Sequence, residues 1–288
     1  MSHPQPTSIP GRWFSDPRDY QISVLGGLLV YGLLALDFDV GLVQVVVTLS
    51  SVLLIQLACT RLWKLPRFDP KSALISGLSL CLLLRTNYLW LVPVAALITI
   101  ASKFVFRAGG KHIFNPTNFG IVCFLLFTDY VWVSPGQWGN VAFFGFLMAC
   151  LGGLVVHRAL RSDVTYAFAL CYAGLLIGRS LYLGEPMTIP LHRLQGGGLL
   201  LFTFFMISDP RTTPNARSGR MLFAALVAFG AWYIQFRLFR TNGLLWSLAC
   251  VSMLTPLIDL VLRGERYEWT RRVPRWLTAP AAERVTVL

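Results

Sequence analysis

GLVQVVVTLSSVLLIQLACT, residues 41–60, carries no charged side chain from end to end. A helix needs ~20 apolar residues to cross the hydrocarbon of a bilayer, and this stretch supplies them. Working outward from it, the same test reads ten apolar segments: Tyr20–Leu36, Gly41–Thr60, Ser72–Leu84, Leu89–Phe106, Pro116–Phe127, Asn140–Val156, Val164–Leu183, Leu191–Ile207, Met221–Phe236 and Gly243–Leu262. The third and fifth are too short to cross as straight helices. Short segments interrupted by Gly or Pro are the signature of broken or partial membrane helices.

Composition agrees. The chain has 288 residues, 55% hydrophobic and 13% charged, with mean hydropathy +0.61. Soluble domains carry roughly 25% charged residues. A net charge of +12 raises the question of nucleic acid, but the cations sit in the short gaps between apolar runs rather than on one basic face. Nucleic-acid binding is therefore excluded. With the N-terminus in the cytoplasm, most Lys and Arg fall on the cytoplasmic side, leaving Arg85, Arg179, Arg193, Arg237 and Arg240 opposite. That asymmetry predicts a multi-pass protein of the cytoplasmic (inner) membrane with both termini inside. The expected domains are a tail over 1–19, one transmembrane domain over 20–262 and a basic tail over 263–288. The first apolar run reads as an anchor rather than a cleaved leader. Six cysteines lie inside apolar runs, without CxxC spacing, and read as buried packing residues. No metal site is expected.

Ten segments divide into five plus five, about 20–127 and 140–262, and an odd unit repeated once must be inverted in the membrane. Residues 72–87 (SALISGLSLCLLLRTN) and 192–209 (HRLQGGGLLLFTFFMISD) share a small-residue start around Gly77 and Gly197, a Leu-rich middle and a polar end. Repeats of this kind place ligands at their interface. Small residues also serve simply to bring helices close.

Two stretches interrupt the apolar pattern. GGKHIFNPTNFG, residues 109–120, offers Asn115 as an N-cap and Pro116 in a first turn. Such a helix start can hold a phosphate or an electron-rich ring. Equally, Asn115 and Asn118 can be tied to neighbouring backbone in an ordinary capped helix. SDPRTTPNARSGR, residues 208–220, has three arginines and several hydroxyls that could hold an anion. Its other reading is a positive loop built from local Asx and Ser/Thr turns.

These stretches, HIFNPTNFG and then FFMISDPRTTPNARSGRMLFA, resemble the RnfD/NqrB family, membrane subunits of the Rnf and sodium-translocating NADH:quinone oxidoreductase complexes. Ser72-Ala73-Leu74 with Gly77, and Thr255-Pro256-Leu257-Ile258-Asp259, add to the resemblance. It implies an all-α fold of ten helices in an inverted repeat, similar to urea channels. It further implies electron relay to other membrane redox subunits. Characterised members attach FMN to a threonine in an SGAT-like motif. Here the corresponding gap, TDYVWVSPGQWGN over 128–140, has no such motif. Covalent FMN is therefore not expected, which leaves FMN, riboflavin or quinone bound non-covalently. Gly77, Asn115, Thr117, Asn118, Gly197, Asp209 and Arg211 are the candidate contact or helix-break positions. The alternative is a channel or transporter for small solutes that keeps the fold without a cofactor. Ion coupling by this chain alone is not expected, since Asp259 is the one carboxylate within the segments. A haem would need facing histidines, and His112, His157 and His192 all lie near segment ends.

Overall fold

A computed structural model describes residues 16–133 and 142–267. The tails outside that range and the end of the 128–140 gap lie outside the described residues. The chain is an all-α membrane protein with several apolar helices. The helices are α1 (Pro17–Ala35), α2 (Leu42–Leu62), α3 (Pro70–Leu83), α4 (Leu91–Val105), α5 (Pro116–Phe127) and α6 (Ala142–Arg158). They continue with α7 (Ser162–Leu183), α8 (Thr188–Leu194), α9 (Gly197–Leu201), α10 (Arg217–Phe236), α11 (Gly243–Ser252) and α12 (Thr255–Val261). A π-helical turn, Phe202–Met206, extends α9. Among the described residues, α2, α7 and α10 are long and apolar enough to cross a membrane straight. The pair α11–α12 passes as one span bent by 48°.

Two of the ten expected segments are broken, each for a local reason. The eighth is cut where Gly196 takes an extended conformation before α9, as a run of three glycines permits. In the tenth, Pro256 occupies the first turn of α12. A proline has no N–H to give to the preceding turn, so the helix restarts at an angle.

Two small antiparallel sheets add to the all-α expectation. β1 (Leu84–Thr86) pairs with β4 (Val131–Val133), tying the ends of α3 and α5. β2 (Arg107–Ala108) pairs with β3 (Lys111–His112) through Gly109 and Gly110, at φ +55° and +77°. Two positive φ values in a two-residue hairpin loop are what the strand twist demands, and glycine supplies them without strain. Arg85, read from sequence as lying on the side opposite the cytoplasm, is 1% exposed. Its guanidinium donates to the carbonyls of Cys81 and Leu84, both at 2.8 Å, and so closes the C-terminus of α3.

Three helix starts share one device. Asp16, Asp69 and Asn115 each cap a helix whose first residue is proline, accepting from the backbone N–H of Arg18, Ser72 and Asn118 respectively. Packing then arranges the helices in two similar groups. In the first, α4 packs on α2 and α5, and α3 packs on α1 and α2. In the second, α10 packs on α7 and α11, while α9 and its π turn pack on α6. Between the groups α1 meets α6 and α5 meets α11. The outer surface remains apolar, with side chains such as Leu34, Phe127 and Leu170 mostly exposed. A lipid tail is a suitable solvent for such a surface. All six cysteines are free. Cys59 and Cys81 are buried as expected, but Cys150, Cys171 and Cys250 face outward, which lipid tolerates as well as a core does.

Candidate functional site

Asn115-Pro116 and Asp209-Pro210 meet at one place. With Arg18, beside Asp16-Pro17, and Asp69 they line a cavity of about 70 Å³ between the two groups of helices. α3 contributes Ser72, Ser76 and Ser79. α6 contributes Val155, Val156 and Ala159, and the π turn adds Phe205 and Met206. The cavity is thus polar on the side of α1, α3 and α5, while the other side is apolar along α6 and the π turn and polar at Ser208, Asp209 and Arg211.

Of the residues singled out in sequence, Asn115, Thr117, Asp209 and Arg211 line this cavity. Asn115 accepts from Asn118 N–H at 3.1 Å and donates from Nδ2 to the Met206 carbonyl at 3.3 Å. Thr117 donates to the Ser76 carbonyl at 3.4 Å. Asn118 lies behind the wall, donating to the Leu245 carbonyl at 3.1 Å, while its Oδ1 has no partner among the described residues. Both asparagines are therefore tied to backbone, as the capped-helix reading expects. Gly77 is a packing residue: a Cβ there would sit 2.7 Å from Val52 Cγ2. Gly197 is buried in the first turn of α9 and does not line the cavity.

The second polar stretch forms the local turns expected of it. Asp209 Oδ1 accepts from Arg211 N–H at 3.0 Å, and the Asp209 carbonyl accepts from the N–H groups of Thr212 and Thr213. Other chain segments then lock it down. Arg161 donates to Thr213 Oγ1 at 3.2 Å and stacks on Tyr267. Lys111 donates to the Thr213 carbonyl at 2.8 Å and pairs with Asp259 at 2.5 Å. Lys111 thus joins the two stretches picked out in sequence, and Asn115 reaches the Met206 carbonyl just ahead of the second.

The residues sequence reasoning passed over are Lys103, Arg18 and Asp69, and His112 was weighed only as a haem ligand. Lys103 is 3% exposed and donates to the carbonyl and hydroxyl of Ser72 at 2.9 and 3.1 Å. A lysine inside the apolar run 89–106 was the signal, since an ionisable group at membrane depth is functional by default. Arg18 bridges Asp16 and Asp69, each at 2.8 Å, fixing α1 against α3.

Electrostatics favour an electron-rich guest. Neither Lys103 nor Arg211 has a carboxylate within ion-pair distance among the described residues. Burial pushes the Asp209 carboxyl above its usual range, against the pull of Arg211, Lys103 and Arg161. Burial also lowers the His112 imidazole, with help from Lys103 and Arg211, to about 3, so the ring is neutral at physiological pH. Donors thus outnumber acceptors around the cavity, which suits carbonyl or anionic oxygens. Its volume is well below the roughly 300 Å³ of sites that enclose a ligand. A three-ring flavin does not fit inside; the polar edge of a ring does.

Comparison with known proteins bears on the second group of helices. The family model NQR2, RnfD, RnfE matches residues 128–268. Curated relatives carry the name of the D component of an ion-translocating oxidoreductase complex. The chain is similar to that of Citrobacter koseri (26% identical) and that of Escherichia coli K12 (27%). It is also similar to that of Cronobacter sakazakii (30%). Each match covers 133 residues, 46% of this chain and 36% of the relative. The chain thus spans about a third of the length of the curated relatives it matches. The SDPRTTPNARSGR stretch lies inside the matched region and HIFNPTNFG before it. Through residues 128–268, just under half of its length, the chain is similar to the group described as the NQR2, RnfD, RnfE family.

Proposed function

We propose that this chain is a multi-pass subunit of an Rnf/Nqr-like electron-transport system in the bacterial inner membrane. It binds the polar edge of a flavin or quinone non-covalently at the seam cavity and relays electrons to partner subunits. The observation that carries the reading is the cavity itself. A buried lysine and a spare arginine converge there with the capped start of α5, at the contact between two similar groups of helices. The relatives' printed name supports the redox setting.

The packing supports a five-plus-five inverted repeat. Pairing α1–α5 with α6, α7, α9, α10 and α11 in order turns the α2–α4 contact into α7–α10, and α4–α5 into α10–α11. The two contacts between the groups, α1–α6 and α5–α11, then join elements to their own counterparts, as a two-fold axis requires. Both termini lie on the cytoplasmic side in this reading, and the cavity opens there. No electron step is assigned to a particular side chain.

The test uses full-length protein purified in detergent. Riboflavin, FMN or a short-chain ubiquinone binds non-covalently and is released intact on denaturation. Lys103→Met weakens that binding at least about tenfold, the scale of one charged hydrogen bond. Absence of flavin and quinone binding overturns the reading. Uptake of a small neutral solute into proteoliposomes would then favour a channel, which a cavity of about 70 Å³ also suits.

A further inference from the structure

The β2–β3 hairpin hangs from the end of α4, where Val105 and Phe106 are exposed on the surface read as lipid-facing. At its tip two cations converge. Arg107 Nη2 donates to the Gly110 carbonyl at 3.0 Å, and Arg266 Nη2 donates to the same oxygen. Gly110 makes room for this arrangement, since a Cβ there would meet Arg266 Nη1 at 2.6 Å. Both arginines are exposed. Neither has a carboxylate within ion-pair distance among the described residues.

One carbonyl does not satisfy two guanidiniums. Each has five N–H donors, and like charges brought together repel unless an anion stands between them. The neighbouring ion pair supplies none, because Asp259 is neutralised by Lys111. Lys111 in turn spends its other donors on the Thr213 carbonyl and Asn215 Oδ1. Paired arginines suit a phosphate, whose oxygens match the planar fork of donors.

The surroundings decide where that phosphate comes from. Gly109 and Lys111, on either side of Gly110, line a pocket of about 240 Å³ that also includes Pro256 and Leu260 of α12. Leu260 is 72% exposed, and Leu257 and Val261 beside it are exposed as well. The cations therefore stand at the end of a membrane span with an apolar helix face next to them. A free phosphate gains nothing from that face, whereas a phospholipid uses both features.

We propose that the hairpin tip is a binding site for an anionic phospholipid. The phosphodiester lies between Arg107 and Arg266, and an acyl chain lies along Leu257, Leu260 and Val261. The site needs the chain to be in a membrane and does not depend on the electron-transport reading.

The experiment is native mass spectrometry of the full chain, delipidated in detergent and titrated with three probes. These are palmitoyl-oleoyl phosphatidylglycerol, phosphatidylcholine with the same chains, and glycerol 3-phosphate. The first phosphatidylglycerol binds at least about tenfold tighter than phosphatidylcholine, since each cation near a membrane surface contributes on the order of a fivefold preference for anionic lipid. Arg107→Gln and Arg266→Gln each weaken phosphatidylglycerol binding about fivefold, and together about thirtyfold, while phosphatidylcholine binding stays. Arg61→Gln with Arg67→Gln removes two exposed cations from the α2–α3 connection and has a much smaller effect. No preference for phosphatidylglycerol, or equal losses from the two double variants, overturns the site. Glycerol 3-phosphate binding as tightly as the lipid would make it a site for soluble phosphates and overturn the lipid assignment. Tighter binding of a tetraglutamate peptide would overturn it in favour of an acidic protein segment.

Discussion

At the start of α5 the chain reads Asn115-Pro116-Thr117-Asn118; at the start of α11 it reads Asn242-Gly243-Leu244-Leu245. Asn115 is extended and caps its helix through its side chain. Asn242 sits at φ +59° and makes no side-chain cap. Gly243 follows because a Cβ there would meet the Ala231 carbonyl at 2.8 Å. The two starts touch through Asn118 Nδ2 and the Leu245 carbonyl. The helix-pair contacts behind them match as well. Gly120 on α5 receives Thr99 of α4, and Gly230 on α10 receives Ser247 of α11, with the glycine and hydroxyl exchanging helices. Similar packing thus carries dissimilar chemistry. One helix start presents side-chain polar groups to a cavity, and the other spends its freedom on close packing. Among the described residues, the polar cavity is lined by the start of α5 and not by the start of α11.

The largest expected effect tests the packing half of that comparison. Gly120→Val drives a branched side chain into Thr99, against backbone as well as the hydroxyl. It should destabilise by about 3 kcal/mol, the upper range for overpacking. Gly230→Ala meets only the movable Ser247 hydroxyl and should cost about 1 kcal/mol. Thermal unfolding in detergent measures both, and equal losses would break the claimed likeness.

Next comes the ion pair joining the hairpin to α12. Asp259→Asn leaves the Lys111 ammonium, in a side chain 10% exposed, without its counter-ion. A loss of about 2 kcal/mol is expected, discounted from a fully buried pair because carbonyl partners remain. Glu185→Gln disturbs the more exposed Arg179–Glu185 pair and should cost about 0.5 kcal/mol. Urea-unfolding midpoints separate the two.

Asn115→Ala removes a cap and the bond to Met206, for an expected loss of about 1.5 kcal/mol. Asn242→Gly keeps the left-handed conformation that glycine adopts freely and should change stability by less than about 0.5 kcal/mol. A comparable loss at Asn242 would erase the asymmetry of the two starts.

The last effect is one of pH. Burial, then Lys103 and Arg211, hold the His112 ring at about 3, below its ordinary 6.5. Between those values the unfolded chain binds a proton that the folded one refuses. The stability linked to His112 is therefore complete above pH 6.5 and declines as pH falls toward 3. Asp209, raised by burial, acts in the opposite sense: its contribution is present at low pH and lost as pH rises through its folded value. Comparing thermal midpoints of wild type and His112→Asn between about pH 7 and about pH 5 isolates the histidine. A wild-type curve no steeper than the variant's would show that the ring is not shielded.

The spans were legible because apolar length is a local property that a window of residues contains. So were the capped start of α5, since Asn before Pro is a local device, and the turn at Asp209. The breaks within the eighth and tenth segments were written in Gly196-Gly197-Gly198 and Pro256, but apolar continuity masked them. Gly77 and Gly197 were read as contact or break positions; Gly197 opens α9 at the break of the eighth segment, whereas Gly77 packs against Val52, and neither lines the cavity.

By itself, then, the sequence determined a membrane protein of many apolar helices, and which of its polar stretches interrupt them. Only the tertiary structure decided that Asn115-Pro116 and Asp209-Pro210 share a cavity with Asp69 and Arg18, and that Lys103 points inward beside Ser72. It alone set His112 against a carbonyl that fixes its tautomer. The reason is physical. Whether a helix suits lipid depends on the side chains along it, but whether a polar group is satisfied depends on partners brought from elsewhere in the chain.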